Sequence, residues 1–293
     1  MLLAAAGPAA GCGDGSDASG EPIASKSGLQ RPARAFDPGR ALGDLRRQVR
    51  IGPRQARSAG GRREVRLIVR RLRAAGIDAV RRQRPWHNVV ARIPGERPGV
   101  VVVGAHHDTK DGILGFVGAN DGASGVAVLL ELARVLPRPF PGPSLALSFF
   151  DAEEARGGRS FERDGTRGSR QFVRLAGRRR GRQGSPALGR IEAMYLLDMV
   201  GDCQLRLPRE GNSDRRLYRR LHGPAFGGMV TGILDDHIPF AEAGIPAVDV
   251  IDFRYGPGPT PGGWWHTPED ALDKVCAASL GQAGRALIGA LGR

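Results

Sequence analysis

Apolar residues recur at helical spacing in 62–74, where Val65, Ile68, Val69 and Leu72 share one face and Gly76 follows as a stop. A second helical pattern covers 123–136, with Val126, Leu129, Leu130 and Ala133 on one face, and a third closes the chain at about 277–291. Between them stand short apolar runs: 88–93, ended by Pro94-Gly95, valine-rich 100–105, 145–150, 191–199 and 245–251. Runs of that length and composition suit strands buried on both faces. The segment 212–222 reads as helical or irregular. Strands alternating with helices predict an α/β fold, a three-layer α/β/α sandwich around a central, mainly parallel mixed sheet. Ligands of such sheets bind beyond the carboxyl ends of the strands.

Polar residues gather at those ends. The run 100–105 leads into His106-His107-Asp108-Thr109, Gly118-Ala-Asn-Asp121-Gly122 precedes the next helix, and 145–150 leads into Asp151-Ala152-Glu153-Glu154. Asp198 lies near the end of 191–199, and a late loop carries Trp264-Trp265-His266-Thr267. Nitrogen and oxygen donors without thiolate suit a catalytic zinc, which takes about three protein ligands and keeps one position open. Singly, each group has an ordinary reading: His106 or His266 as a satisfied polar residue, Asp121 as a turn or cap, Glu153-Glu154 as a solvated helix start. Asp198 resists it, because a carboxylate in an apolar strand is costly without a partner. Their coincidence at one end of one sheet points to a site.

The motifs His106-x-Asp108, Gly118-Ala-Asn-Asp121-Gly-Ala-Ser-Gly125, Asp151-Ala-Glu153-Glu154, Leu197-Asp198-Met-Val-Gly201 and His266-Thr-x-Glu-Asp270 stand in an order that resembles the superfamily of zinc aminopeptidases and glutaminyl-peptide cyclotransferases, over about 36–293. The resemblance implies His106, Asp121, Glu154, Asp198 and His266 as a two-zinc ligand set bridged by Asp121. It also implies Asp108 as the carboxylate orienting His106 and Glu153 as general base and acid. Asp235-Asp236-His237-Ile238-Pro239-Phe240, Trp265 before His266, Phe116-Val117-Gly118-Ala119, and Lys110 are similar to the cyclotransferase branch. Gly52-Pro53-Arg54 with Ser58 is similar to its animal and bacterial members. In that branch one zinc sits on Asp121, Glu154 and His266, while His106 and Asp198 join a hydrogen-bond network. Asp235 and Asp198 would hold the reacting nitrogens, with Trp265, Trp264 and Asp236 around the substrate.

The implied activity is conversion of the N-terminal glutamine of peptides or proteins to pyroglutamate with release of ammonia. A two-zinc aminopeptidase is the alternative, and a nonenzymatic peptide-binding relative the second. Every ligand and Glu153 are kept, which favours an enzyme. Two departures count against the cyclase: no tryptophan stands in Ala155-Arg-Gly-Gly-Arg159, and the branch's paired cysteines are Ala105 and Val126 here.

Composition changes this picture little. A net charge of +14 raises nucleic acid or an anionic membrane as partner. Yet only three lysines, Lys26, Lys110 and Lys274, stand among 44 basic residues, and no aromatic-and-basic platform accompanies them, so no nucleic-acid partner is expected. The arginine-rich stretch from Arg156 to Arg190 reads as a solvated loop, with contact to an acidic peptide or cell envelope as the alternative; 168–176 within it resembles the family's short helix. Three cysteines without paired spacing predict no disulfide framework. Ala9-Ala10-Gly11-Cys12 resembles a bacterial lipoprotein cleavage box, and 13–28 reads as a flexible tether. The expected organisation is a truncated lipoprotein-like signal and tether over 1–35 and a zinc-dependent catalytic domain over 36–293. The protein is expected to be exported, as a cell-envelope lipoprotein anchored at Cys12 or as a secreted protein.

Overall fold

The computed structural model describes residues 29–293; Cys12 and the expected signal and tether up to residue 28 lie outside them. The strands are β1 (Val80–Arg82), β2 (Val89–Ile93), β3 (Gly95–His106), β4 (Phe140–Phe150), β5 (Ile191–Asp198), β6 (Leu207–Arg209), β7 (Phe226–Met229) and β8 (Ala247–Ile251). The helices are α1 (Gln30–Ala35), α2 (Pro38–Val49), α3 (Ala59–Ala74), α4 (Ser124–Val135), α5 (Phe161–Asp164), α6 (Arg167–Ala176), α7 (Arg215–Tyr218), α8 (Ile238–Glu242) and α9 (Ala277–Leu291). One sheet has the order β1-β2-β4-β3-β5-β8, and β6 and β7 form a separate short ribbon. β4, β3, β5 and β8 run parallel, whereas β2 pairs antiparallel with β4 and β1 antiparallel with β2.

Alternation along the central strands fills two cores. Val101, Val103 and Ala105 of β3 pack with Tyr195 and Leu197 of β5 under α2, α3, α4 and α9. Val100 and Val102 pack with Met194 and Leu196 against Phe172 of α6 and Phe240 of α8. Successive side chains point to opposite faces, so a strand covered by helices on both sides needs an apolar residue at every position, which is why these strands read as unbroken runs. Both faces are covered, as the three-layer expectation requires.

Three expectations change. α4 does not bury a single face: Ser124 to Ala133 are all buried, because α4 lies between the sheet and α2, α3 and α9. Ordered structure begins before residue 36, since Leu29, Pro32 and Phe36 are buried, the first and last of them close to α9. Cys203 and Cys276 form a disulfide, with Cα atoms 4.8 Å apart and a sequence separation of 73. The segment after β5 pairs with the one before α9: Asp202 bridges Val275, and the Cys276 N–H donates to the Gly201 carbonyl at 2.9 Å. Tertiary pairing, invisible to spacing rules, brings the thiols together.

Some of the arginine excess is structural. The carboxylates of Asp44 and Glu131, fully buried in the helical layer, are matched by Arg71 at 2.7 Å, by Arg40 and by Arg134. Planar guanidinium groups serve such half-buried pairs better than ammonium. Among the described residues no helix is long and apolar enough to cross a membrane.

Candidate functional site

Four neighbouring strands deliver their C-terminal residues to one place. His106 ends β3, Asp198 ends β5, Glu153 and Glu154 follow β4, and Asp121 stands before α4, while the loop after β8 carries His266. The loop of Asp121 fits only because glycines flank it. Gly122 is in the left-handed region at φ +88 beside the Asp108 carbonyl, and a side chain at Gly125 would strike the Leu197 carbonyl of β5. Ala152 (φ 59), Met199 (φ 47) and His266 (φ 52) also occupy that region, each within one residue of a candidate ligand or base. Such backbone costs about 1–3 kcal/mol per residue and persists where surrounding contacts enforce it. Here the N–H groups of Thr166 and Arg167 bind the carbonyls of Glu153 and Ala152 at 2.7 and 2.9 Å.

The donors form two triads that share Asp121: His106, Asp121 and Asp198, and Asp121, Glu154 and His266, each with donor atoms within 4.8 Å of one another. His106 Nε2 lies 3.2 Å from Asp121 Oδ1 and 3.1 Å from Asp198 Oδ1. His266 Nε2 lies 3.3 Å from Asp121 Oδ2 and 3.0 Å from Glu154 Oε1. Two ligands about 2.0 Å from a tetrahedral zinc stand roughly 3.3 Å apart, so the spacing fits a metal ion at either triad. One oxygen of Asp121 serves each. All-nitrogen-and-oxygen donors, buried and converging, are a set that can hold a divalent metal.

The acids around the triads titrate abnormally in the metal-free protein. Burial pushes the Glu153 carboxyl well above its usual range; His106 opposes this, and Asp235, Glu154 and Asp236 reinforce it. Burial likewise raises Asp235, helped by Asp198 and Asp236, and lifts Asp236 to about 7. For His266, burial is outweighed by Asp121 and Glu154, which hold the imidazole at about 9. Buried carboxyls kept neutral can donate as well as accept hydrogen bonds. Glu153, Asp198, Asp235 and Asp236 thus form a set that can exchange protons beside the metal-binding groups.

The remaining sequence candidates fall as follows. Asp108 Oδ1 is 3.7 Å from His106 Nδ1, and the nearer partners of its carboxylate are the backbone N–H groups of Glu153 and Glu154 at 3.0 and 3.3 Å, so it shapes the turn of those two residues as well as facing the histidine. Trp265 stacks on His266 with centroids 3.8 Å apart. Trp264 instead meets Tyr255 edge-on at 5.4 Å, under Lys274. Asp236 accepts from Ser169 of α6. Lys110 Nζ is 3.6 Å from Glu154.

Asp270 was only part of a motif in the sequence, with no role attached. Buried, it accepts the N–H groups of Asn120 at 2.7 Å and Asp121 at 3.0 Å and the hydroxyl of Tyr255 at 2.9 Å, fixing the loop of the shared ligand. Asn120 in turn accepts from Gly201 N–H at 2.7 Å. Arg54, wholly buried, donates to the carbonyls of Val117 and Gly118 from below. The sequence signal for Asp270 was its place four residues after His266; Tyr255 had none.

The chain has known relatives. The family model for peptidase family M28 matches residues 88–291. Aminopeptidase YwaD of Bacillus subtilis is 30% identical over 203 residues, covering 64% of this chain and 40% of that protein. The glutaminyl-peptide cyclotransferase of Drosophila melanogaster is 30% identical over 222 residues, covering 63% and 58%. The chain thus spans about half the length of these curated relatives. A solved structure, the glutaminyl cyclase of an Acidobacteriales bacterium, superposes with a TM-score of 0.74 at 32% identity, covering 87% of this chain and 94% of that one. The chain belongs to peptidase family M28 and is an enzyme of the superfamily that contains zinc aminopeptidases and glutaminyl cyclases.

Proposed function

We propose that the enzyme is a glutaminyl-peptide cyclotransferase that binds one zinc through Asp121, Glu154 and His266. The observation that carries this reading is the buried set of carboxyls, Glu153, Asp198 and Asp235, beside the less buried triad. Hydrolysis needs one group to take a proton from water and return it to the leaving amine. Cyclisation asks for more: an α-amine must be held, stripped of a proton and steered onto a carbonyl of the same residue, and ammonia must leave protonated. Several carboxyls able to share protons suit that task. When bound, zinc supplies a Lewis acid for the side-chain carbonyl of the substrate glutamine. Glu153 takes the proton released as the amine nitrogen bonds to that carbon, and returns it to the departing nitrogen as the carbon–nitrogen bond of the amide breaks. Asp235 and Asp198 orient the two nitrogens. Trp265, stacked on His266, walls the pocket and limits water, the competing nucleophile. The 32% identity to the bacterial glutaminyl cyclase over 87% of this chain supports the same reading.

A second reading, a two-zinc aminopeptidase, is favoured by one feature: the two oxygens of Asp121 face different triads, as a bridging ligand's would. Glu153 would then pass a proton from water to the leaving peptide amine. A paired assay on zinc-loaded protein separates the two. Ammonia release from a glutaminyl peptide with about one zinc per chain is the expected result, and arylamide hydrolysis with about two would replace it with the aminopeptidase.

A further inference from the structure

Trp86 stands just before β2, which runs antiparallel to β4, so it lies at the same end of the sheet as Glu154. Two guanidinium groups lie over its ring, Arg57 at 5.3 Å and Arg167 at 5.0 Å from the centroid. Two cavities meet at this point. One, of about 120 Å³, reaches from Trp86, Arg57 and Arg167 to the candidate ligand Glu154. The other, of about 510 Å³, continues from Trp86 and Arg167 along α6, past Arg170 and Arg174, to Glu242.

The charges along this path are unequal. Arg167 is engaged by Asp164 and by the Glu154 carbonyl. Arg57, Arg170 and Arg174, by contrast, make no ion pair among the described residues; Glu242 is the one acid of the larger cavity, and Asp108, Asp111 and Glu154 line the smaller one. Arg170, Arg174 and Arg167 repeat at helical spacing and so share one side of α6. Arg57 is held at φ 64, a backbone state that costs energy and recurs at ligand clamps.

We infer that this groove holds the part of a peptide substrate that follows its N-terminal residue, and that it selects acidic side chains there. The inference rests on the reading that the centre acts on peptide N-termini. A carboxylate beside Arg57 in the smaller cavity, or beside Arg170 or Arg174 in the larger, gains charge-assisted hydrogen bonds from guanidinium groups that lack an ion pair, with Trp86 in the wall that the two cavities share.

The test compares three pentapeptides, Gln-Gly-Asp-Asp-Gly, its Asn-Asn counterpart and its Lys-Lys counterpart, on the zinc-loaded protein. Ammonia and free amine are followed, and anisotropy of carboxyl-labelled peptides reads binding in parallel. The aspartyl peptide is expected to show kcat/KM and affinity about five-fold above the asparaginyl one at low salt, a gap that closes by about 0.5 M salt. R174A and R57A should each narrow it, whereas R70A on α3 should not. Equal binding of the Asp and Asn peptides overturns the groove, as does equal narrowing by R70A, which would assign the effect to net charge. Absence of turnover on every peptide with the affinity gap intact would overturn the catalytic reading and keep the groove.

Discussion

The two triads that meet at Asp121 use the same kinds of donor in different surroundings. His106 is 2% exposed and closed in by Asp198, Asp121 and Asp108, whereas the side chain of His266 is 19% exposed, on a loop beneath Trp265. One half therefore has a side open to solvent, and the other is packed against carboxyls. Equal donor sets do not make equal surroundings: access separates a half that solvent reaches from one that it does not.

The largest effect should follow from changing Glu153, the proposed base. Glu153→Gln is expected to retain zinc and lower turnover by about 10²–10⁴-fold, checked by ammonia release with metal analysis; near-normal turnover would take Glu153 out of the reaction. Next comes the brace between the halves. Cys203→Ser removes the link from the loop after Asp198 to the segment after Asp270 and should cost about 2–4 kcal/mol in denaturant unfolding, a loss that reductant should reproduce in the parent protein. A smaller change is expected for Asp270→Asn, which leaves every ligand in place but loosens the backbone of Asp121. Its zinc affinity should fall about 10–100-fold in a competition titration with a chelating dye; unchanged affinity would mean that the loop of Asp121 holds its own shape. A further effect is one of pH on metal-free protein. His266 has its folded-state pKa raised from 6.5 to about 9 by Asp121 and Glu154 against burial. Its ion pairs therefore stabilise the fold fully below about pH 6.5 and cease to as pH rises through about 9. Stability should decline between pH 7 and 9.5, and His266→Gln should flatten the decline.

The half-site comparison also marks the reach of the sequence. The buried strands were legible because each is apolar at every position, and the candidate donors His106, Glu153, Glu154 and Asp198 because they stand at or just past the end of such a run, whereas Asp121 and His266 lie in loops. Residues 38–49 were not read as a helix: Gly39, Gly43 and several arginines dilute the pattern, and only Ala41, Leu45 and the capping Asp37 betray it. The Cys203–Cys276 pairing was hidden because two backbone segments must first be joined by the sheet. Asp270 lay in view without a role, since its work is done through N–H groups, which every residue but proline carries. What could not be read was which triad would be open, because exposure depends on Trp265, Phe253 and the loop between them folding over one side.

The hydrogen bonds that converge on the site have a kinetic consequence. Asp270 ties the strand-end loop of Asp121 to the loop of His266, and Asn120 ties it onward to the loop of Asp198. A shift in the backbone of one of these loops therefore breaks contacts made by another, which couples their displacement. Loosening those ties, as in Asp270→Asn, is expected to quicken the release of an ion held there.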